Sequence, residues 1–142
     1  MIISIDPGTY NTGVAIIEGK SMELLNIENK DLARYIEKLH NQIDIIDTII
    51  IGNNKQKKVF ESLLSIKPNI VNIVDEYNST IEARQVCFDY NIKKRRFIKA
   101  FTTLLSGDHC DGWAALILYS RRSNISPEQI LKEYKIKETD SF

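Results

Sequence analysis

Short apolar runs rich in β-branched residues set what this chain can fold into. Three of them fall within the first 27 residues: Ile2-Ile3-Ser4-Ile5-Asp6, Gly13 to Glu18, and Met22 to Ile27. Short turn segments link them, which predicts an antiparallel meander. Thr48-Ile49-Ile50-Ile51 and Ile70 to Val74 then read as strands buried by their neighbours, the first covered on both faces. Between these strands the period changes. Leu32, Ile36, Leu39 and Ile43 are spaced 4, 3 and 4 apart, one face of a helix over 31–43, and Val59, Leu63 and Leu64 mark a second helix.

After Val74 the pattern is helical. Ser79-Thr80-Ile81-Glu82 has the form of a capping box and predicts a helix starting at Thr80. The basic segment 93–105 carries Phe97, Ile98, Phe101, Leu104 and Leu105 at helical spacing. Asp111 to Tyr119 is apolar and helical, and Ser126-Pro127 opens a last helix with proline at its first position. Hairpin-linked strands followed by βαβ crossovers predict one α/β domain over 1–142, a mixed five-stranded sheet with helices on both faces.

Composition closes off other classes. At 43% hydrophobic and 27% charged, with 6 Gly and 3 Pro, the chain is neither disordered nor fibrous. No stretch reaches the roughly 18 consecutive apolar residues of a membrane span, and the opening MIISIDPG has no basic leader. Cys87 and Cys110 have no metal-type spacing and make no disulfide framework, so a reducing, cytoplasmic address is expected.

The net charge is zero, yet its distribution is uneven. Residues 1–92 hold nine basic and thirteen acidic side chains, whereas 93–142 hold ten and six. Lys93, Lys94, Arg95, Arg96 and Lys99 form the densest basic run. They are candidates for nucleic-acid phosphates, because local charge density governs such binding. A solvated helix face would look the same.

Acidic residues gather at element ends. Asp6 closes the first strand, and Asp75 and Glu76 follow the last. Asp108 and Asp111, three apart, open an apolar helix with both carboxylates on one face. Ligands of α/β sheets collect at the carboxyl ends of strands. Carboxylates brought together there repel unless a hard cation such as Mg²⁺ neutralises them. Taken singly, Asp6 before Pro-Gly also suits a turn, and Asp108 also suits a helix N-cap.

Ile5-Asp6-Pro7-Gly8-Thr9 with Thr12-Gly13-Val14-Ala15 resembles the opening of RuvC-type Holliday junction resolvases and their YqgF relatives, members of the RNase H-like superfamily. Asp75 to Arg84 (DEYNSTIEAR) resembles the YqgF segment DERxSTxEAR, and Asp111 to Leu118 is similar to the closing DxxAAxxIL helix of that group. The order and spacing agree over nearly the whole chain.

The resemblance implies that Asp6, Glu76 and Asp111 are metal-binding catalytic carboxylates. Asp108 departs toward RuvC, where a D-x-x-D pair opens the last helix, and the basic stretch 94–105 does the same. Gly52-Asn53-Asn54 stands where YqgF proteins carry Gly-Leu-Pro. RuvC proteins have their second acid there, so Glu76 must supply it as in the YqgF arrangement. The expectation is a Mg²⁺-dependent endonuclease, with Mn²⁺ able to substitute, working by two-metal hydrolysis. Four-way DNA junctions are the expected substrate, structured RNA the alternative, and a homodimer would supply two sites. An inactive nucleic-acid-binding module is the non-enzyme rival. An actin-like ATPase, which also opens on D-x-G-T, needs two such domains. Of the remaining residues, Glu82 is expected to complete the capping box, Tyr10 to cover the turn after Asp6, and Cys110 to pack in the core. His40 is expected at the surface, and His109 lies between the two aspartates.

Overall fold

The computed structural model describes residues 1–42, 46–53, 70–106 and 110–139. Its strands are β1 (Ile2–Asp6), β2 (Asn11–Glu18), β3 (Ser21–Glu28), β4 (Thr48–Gly52), β5 (Ile70–Val74) and β6 (Lys135–Thr139). The helices are α1 (Asn29–Gln42), α2 (Ser79–Lys93), α3 (Phe97–Ser106), α4 (Asp111–Ser123) and α5 (Pro127–Glu133). The strands form one mixed sheet in the order β5-β4-β1-β2-β3-β6. β1, β2 and β3 make the expected antiparallel meander, while β4 lies parallel to β1 and β5 parallel to β4.

Helices cover both faces, as expected. Ile3, Ile5, Val14, Leu25, Ile27, Ile49 and Ile51 form one core with Leu32, Tyr35 and Ile36 of α1. On the other face α4 crosses the sheet, with every residue from Gly112 to Ser120 buried. A helix apolar all round belongs inside a fold. Each full burial of a Leu or Ile there contributes roughly 1.5–3 kcal/mol. Ser4, buried in mid-sheet, donates its Oγ hydrogen to the Ala115 carbonyl of α4 at 2.7 Å.

The sheet has six strands, not five. β6 pairs parallel to β3, Ser21 opposite Lys135 through Leu25 opposite Thr139. Its sequence, Lys-Ile-Lys-Glu-Thr, has one apolar residue, so hydrophobic patterning does not mark it; backbone pairing at an edge makes the strand. β5 lies at the opposite edge, and Val71 and Ile73 are exposed, correcting the expectation of a buried strand. The basic segment 93–105 is not one helix. α2 ends at Lys93, Arg95 turns left-handed at φ 58°, and α3 starts at Phe97. α3 buries Ala100 and Thr103, leaving Phe97, Ile98, Phe101, Leu104 and Leu105 exposed.

The α5 start is as read, with Ser126 Oγ accepting from Gln129 N at 3.1 Å. The markers Val59, Leu63 and Leu64, Ile43 and the Leu39 side chain lie outside the described residues. Among the described residues no helix is long and apolar enough to cross a membrane.

Candidate active site

The parallel run β5-β4-β1 brings three carboxyl ends to one edge of the sheet. Ile5 pairs with Ile51, and Gly52 with Val74, so Asp6, Gly52 and the residues after Val74 end in one row. Side chains alternate across a strand. Asp6 therefore shares the face of Ser4, the face on which α4 lies. The N-terminus of α4 brings Asp111 to the same place, because Asp6 pairs with Gly13 and any Cβ on Gly13 would collide with the Asp111 backbone. At Gly52 a Cβ would collide with the Glu76 carboxylate and press on Leu118. The position that lacks an acid is thus the space that the Glu76 carboxylate occupies.

Asp6, Glu76 and Asp111, half-buried, converge as expected. Burial is the largest influence on Asp6; a side-chain hydrogen bond with Glu76 and the negative charges of Glu76 and Asp111 add to it. Arg121 pulls the other way, and the balance pushes Asp6 up to about 8. Burial and the neighbouring carboxyl thus favour a proton shared by the Asp6–Glu76 pair well above the usual carboxylate range. Among the described residues no three of His, Cys, Asp and Glu stand close enough together to hold a metal ion as they are placed. What the three carboxyls offer is oxygen donors with excess negative charge, held together by a proton. Hard divalent cations take such donors, and binding one displaces protons. In that sense the donor set fits Mg²⁺.

Residues that sequence reasoning missed hold these acids in place. Asn53 Oδ1 accepts from Glu76 N at 3.3 Å. Arg121 of α4 donates to the carbonyls of Asp75 and Tyr77 at 2.6 and 2.7 Å, and to Glu82 Oε1 at 2.8 Å. Asn29, at the start of α1, fixes the turn after Asp6. Its Nδ2 donates to the carbonyls of Gly8 at 2.8 Å and Thr9 at 3.1 Å, and its Oδ1 accepts from Thr12 Oγ1 at 2.6 Å. Arg121-Arg122 reads in sequence as the ordinary basic end of a helix, and nothing separates the first from the second. The asparagines read as turn residues.

Other expectations are revised. α2 begins at Ser79 after a left-handed Asn78, whose side chain makes no cap hydrogen bond, so the capping box does not form and Glu82 turns to Arg121. Asp75 makes a local turn, accepting from Tyr77 N at 3.0 Å. Tyr10 is 82% exposed, against the expectation that it covers the turn. Cys110 is buried in the core beside Cys87, the two thiols hydrogen-bonded and free of any disulfide. Asp108, His109 and the His40 side chain lie outside the described residues.

The basic run divides by surroundings. Lys93, Lys94, Arg95 and Arg96 are exposed at the corner between α2 and α3. Lys99 pairs with Glu138 of β6 at 2.8 Å, and Arg96 approaches the same carboxylate at 3.8 Å. Glu138 also accepts from Trp113 Nε1 at 2.7 Å. The fifteen residues of α2 separate Glu76 from the corner by about 22 Å. The run is therefore remote from Glu76 but lies beside the opening turn of α4 that carries Asp111, where Tyr90 packs on Trp113 with ring centroids 5.0 Å apart and Lys99 and Trp113 share Glu138.

No family model matches this chain, and no curated protein matches it either.

Proposed function

We propose that this chain is a Mg²⁺-dependent, structure-selective endonuclease of RNase H-like fold, acting inside the cell as a Holliday junction resolvase. The observation that carries the reading is the convergence of Asp6, Glu76 and Asp111 at one end of the sheet, where burial first, and then the hydrogen bond with Glu76 and the charges of Glu76 and Asp111, push Asp6 up to about 8. A meander followed by parallel β4 and β5 supports the fold that the family resemblance implies. Asp6, Glu76 and Asp111 hold the metal, with Asp108, three residues before Asp111, as a fourth ligand; Mn²⁺ substitutes. The chemistry that bound divalent ions supply is a lowered pKa for the attacking water and stabilisation of the leaving oxygen in an in-line phosphodiester cleavage. Asp6 at the end of β1, Glu76 from the side that Gly52 leaves open and Asp111 from the start of α4 would hold the cation, which would compete with the proton of the Asp6–Glu76 pair.

The exposed corner, Lys93 to Arg96, holds phosphates of a duplex arm. A four-way junction has two-fold symmetry, so two cuts call for a homodimer. The exposed apolar row of α3 is a described surface that favours association.

Labelled junction, flap, duplex and RNA hairpin substrates, incubated with Mg²⁺ and with EDTA, test the reading. Junction cleavage that needs Mg²⁺ is expected. Asp6→Asn, Glu76→Gln and Asp111→Asn should each abolish cleavage and leave junction binding intact. Near-wild-type turnover in any of them removes that residue from its role. Asp108→Asn should cost activity with recovery at higher Mg²⁺, whereas a mere N-cap would tolerate it. One observation favours a second reading: Gly52-Asn53 carries no acid and Glu76 fills its place. That is the YqgF arrangement, and cleavage of precursor small-subunit ribosomal RNA in preference to the junction would select it.

A further inference from the structure

Glu76 differs from the other two acids in what carries it. Asp6 belongs to β1 and Asp111 to α4, whereas Glu76 lies in the loop between β5 and α2. A strand or helix fixes a side chain through its own backbone ladder; a loop needs outside support to place a ligand within the fraction of an ångström that metal chemistry requires. That support comes from Arg121, about 15 Å along α4 from Asp111. Its guanidinium donates to Asp75 O at 2.6 Å through Nη1 and to Tyr77 O at 2.7 Å through Nη2. These are the carbonyls on either side of Glu76. The third partner is Glu82, at 2.8 Å, on the first turn of α2. From the β4 side Asn53 receives the Glu76 N–H.

The ion pair alone does not explain this arrangement. Glu82 is 48% exposed, and pairs so exposed contribute little. Nor does the helix dipole, which the exposed Arg122 satisfies equally well. What distinguishes Arg121 is a side chain only 25% exposed whose planar fork reaches two carbonyls and a carboxylate together. A lysine ammonium has no such fixed geometry.

We infer that Arg121 is a positioning residue: it clamps the loop on both sides of Glu76 and so sets the carboxylate against Asp6 and Asp111, with Glu82 orienting the guanidinium. The inference rests on the metal-carboxylate reading above. It assigns Arg121 no contact with substrate or with the reacting atoms.

Mn²⁺ binding to the purified full chain, followed by titration calorimetry or by the loss of the free-ion electron paramagnetic resonance signal, tests it beside the melting temperature. Wild type should bind Mn²⁺ and Asp6→Asn should not. Arg121→Lys keeps the charge and loses the fork. It should weaken Mn²⁺ binding about tenfold or more, the usual cost of losing an outer support of a metal ligand. Cleavage should then need more Mg²⁺ and recover its maximal rate at saturation. A merely structural arginine would lower the melting temperature and leave the affinity unchanged. Folded Arg121→Lys with wild-type Mn²⁺ affinity overturns the clamp. Glu82→Gln keeps both carbonyl contacts, so it remains informative if Arg121→Lys does not fold. It should weaken Mn²⁺ less but measurably, and no change there also overturns the proposal. Wild type that takes up no Mn²⁺ overturns the metal reading itself and the clamp with it, a result distinct from binding that Arg121→Lys leaves untouched.

Discussion

Burial and two neighbouring carboxyls let Asp6 hold its proton to about pH 8, far above its ordinary 3.8. The folded chain therefore binds a proton at Asp6 that the unfolded chain has already released between those values. Stability contributed by that proton is fully present below about 3.8 and is lost as pH rises through about 8. Without divalent ions the melting temperature should fall across this window. Asp6→Asn, neutral throughout, should flatten the fall and stabilise the protein at neutral pH; an unchanged slope in that variant would mean Asp6 is not the titrating group. Mg²⁺ competes with the proton, so its affinity should rise with pH over the same range. Gly52 offers a second residue-scale test. A methyl group at this position would displace the Glu76 carboxylate, so Gly52→Ala should reduce Mn²⁺ affinity in a protein that still folds. Wild-type affinity in Gly52→Ala would show that Glu76 has another place to go. Asp6 and Asp111 are legible in the sequence because each ends or begins a regular element. Arg121 and Asn53 are not, since their use depends on a loop brought to them by tertiary packing.

Elements with a clear apolar period are legible: the meander, β4 and α4 stand where the runs predict them. β6 is not, because backbone pairing with β3 and ion pairs form it in place of apolar burial. Its Glu138 joins three elements, accepting from Trp113 Nε1 of α4 and from Lys99 of α3. Trp113 is 1% exposed, so removing the acceptor leaves a buried N–H unsatisfied. Glu138→Ala should destabilise the fold by about 1–3 kcal/mol. Urea unfolding followed by fluorescence of Trp113, the only tryptophan, checks this. A loss under about 0.5 kcal/mol, the level of an ordinary surface substitution, would mean that water replaces the carboxylate. The break between α2 and α3 is equally hidden. The apolar period of Phe97, Ile98 and Phe101 gives no sign of it, since all three follow the break, where left-handed Arg95 and the Arg96 N–H bond to Asn91 O at 2.8 Å turn the chain.

At the scale of the whole molecule, zero net charge conceals acids gathered at the carboxyl ends of the strands and a basic corner beside the opening turn of α4, far from Glu76 but near the end that carries Asp111. Both are legible as clusters; their relative placement is not, because it depends on α2 packing back along α4, with Glu82 at Arg121 and Tyr90 at Trp113. Lys93, Lys94 and Arg95 are exposed, and Lys93 and Arg95 make no ion pair among the described residues. Lys99 is committed to Glu138, and Arg96 lies within 3.8 Å of it. A run uniform in sequence thus predicts two different phenotypes. Removing one phosphate-binding cation should make the log–log salt dependence of junction binding shallower by about one unit, alike for all sequences. Lys93→Ala with Arg95→Ala should therefore flatten the slope by about two units and leave the melting temperature in place. Lys99→Ala should do the reverse, lowering the melting temperature by removing a partner of the half-buried Glu138 while the slope holds. Binding measured from low to moderate salt separates the two. A slope that Lys93 and Arg95 do not affect would return the corner to solvated surface and move the nucleic-acid interface elsewhere. A slope that responds to Lys99 would mean that phosphate draws its ammonium away from Glu138, and the strand-to-helix latch would then be a competitor of the substrate.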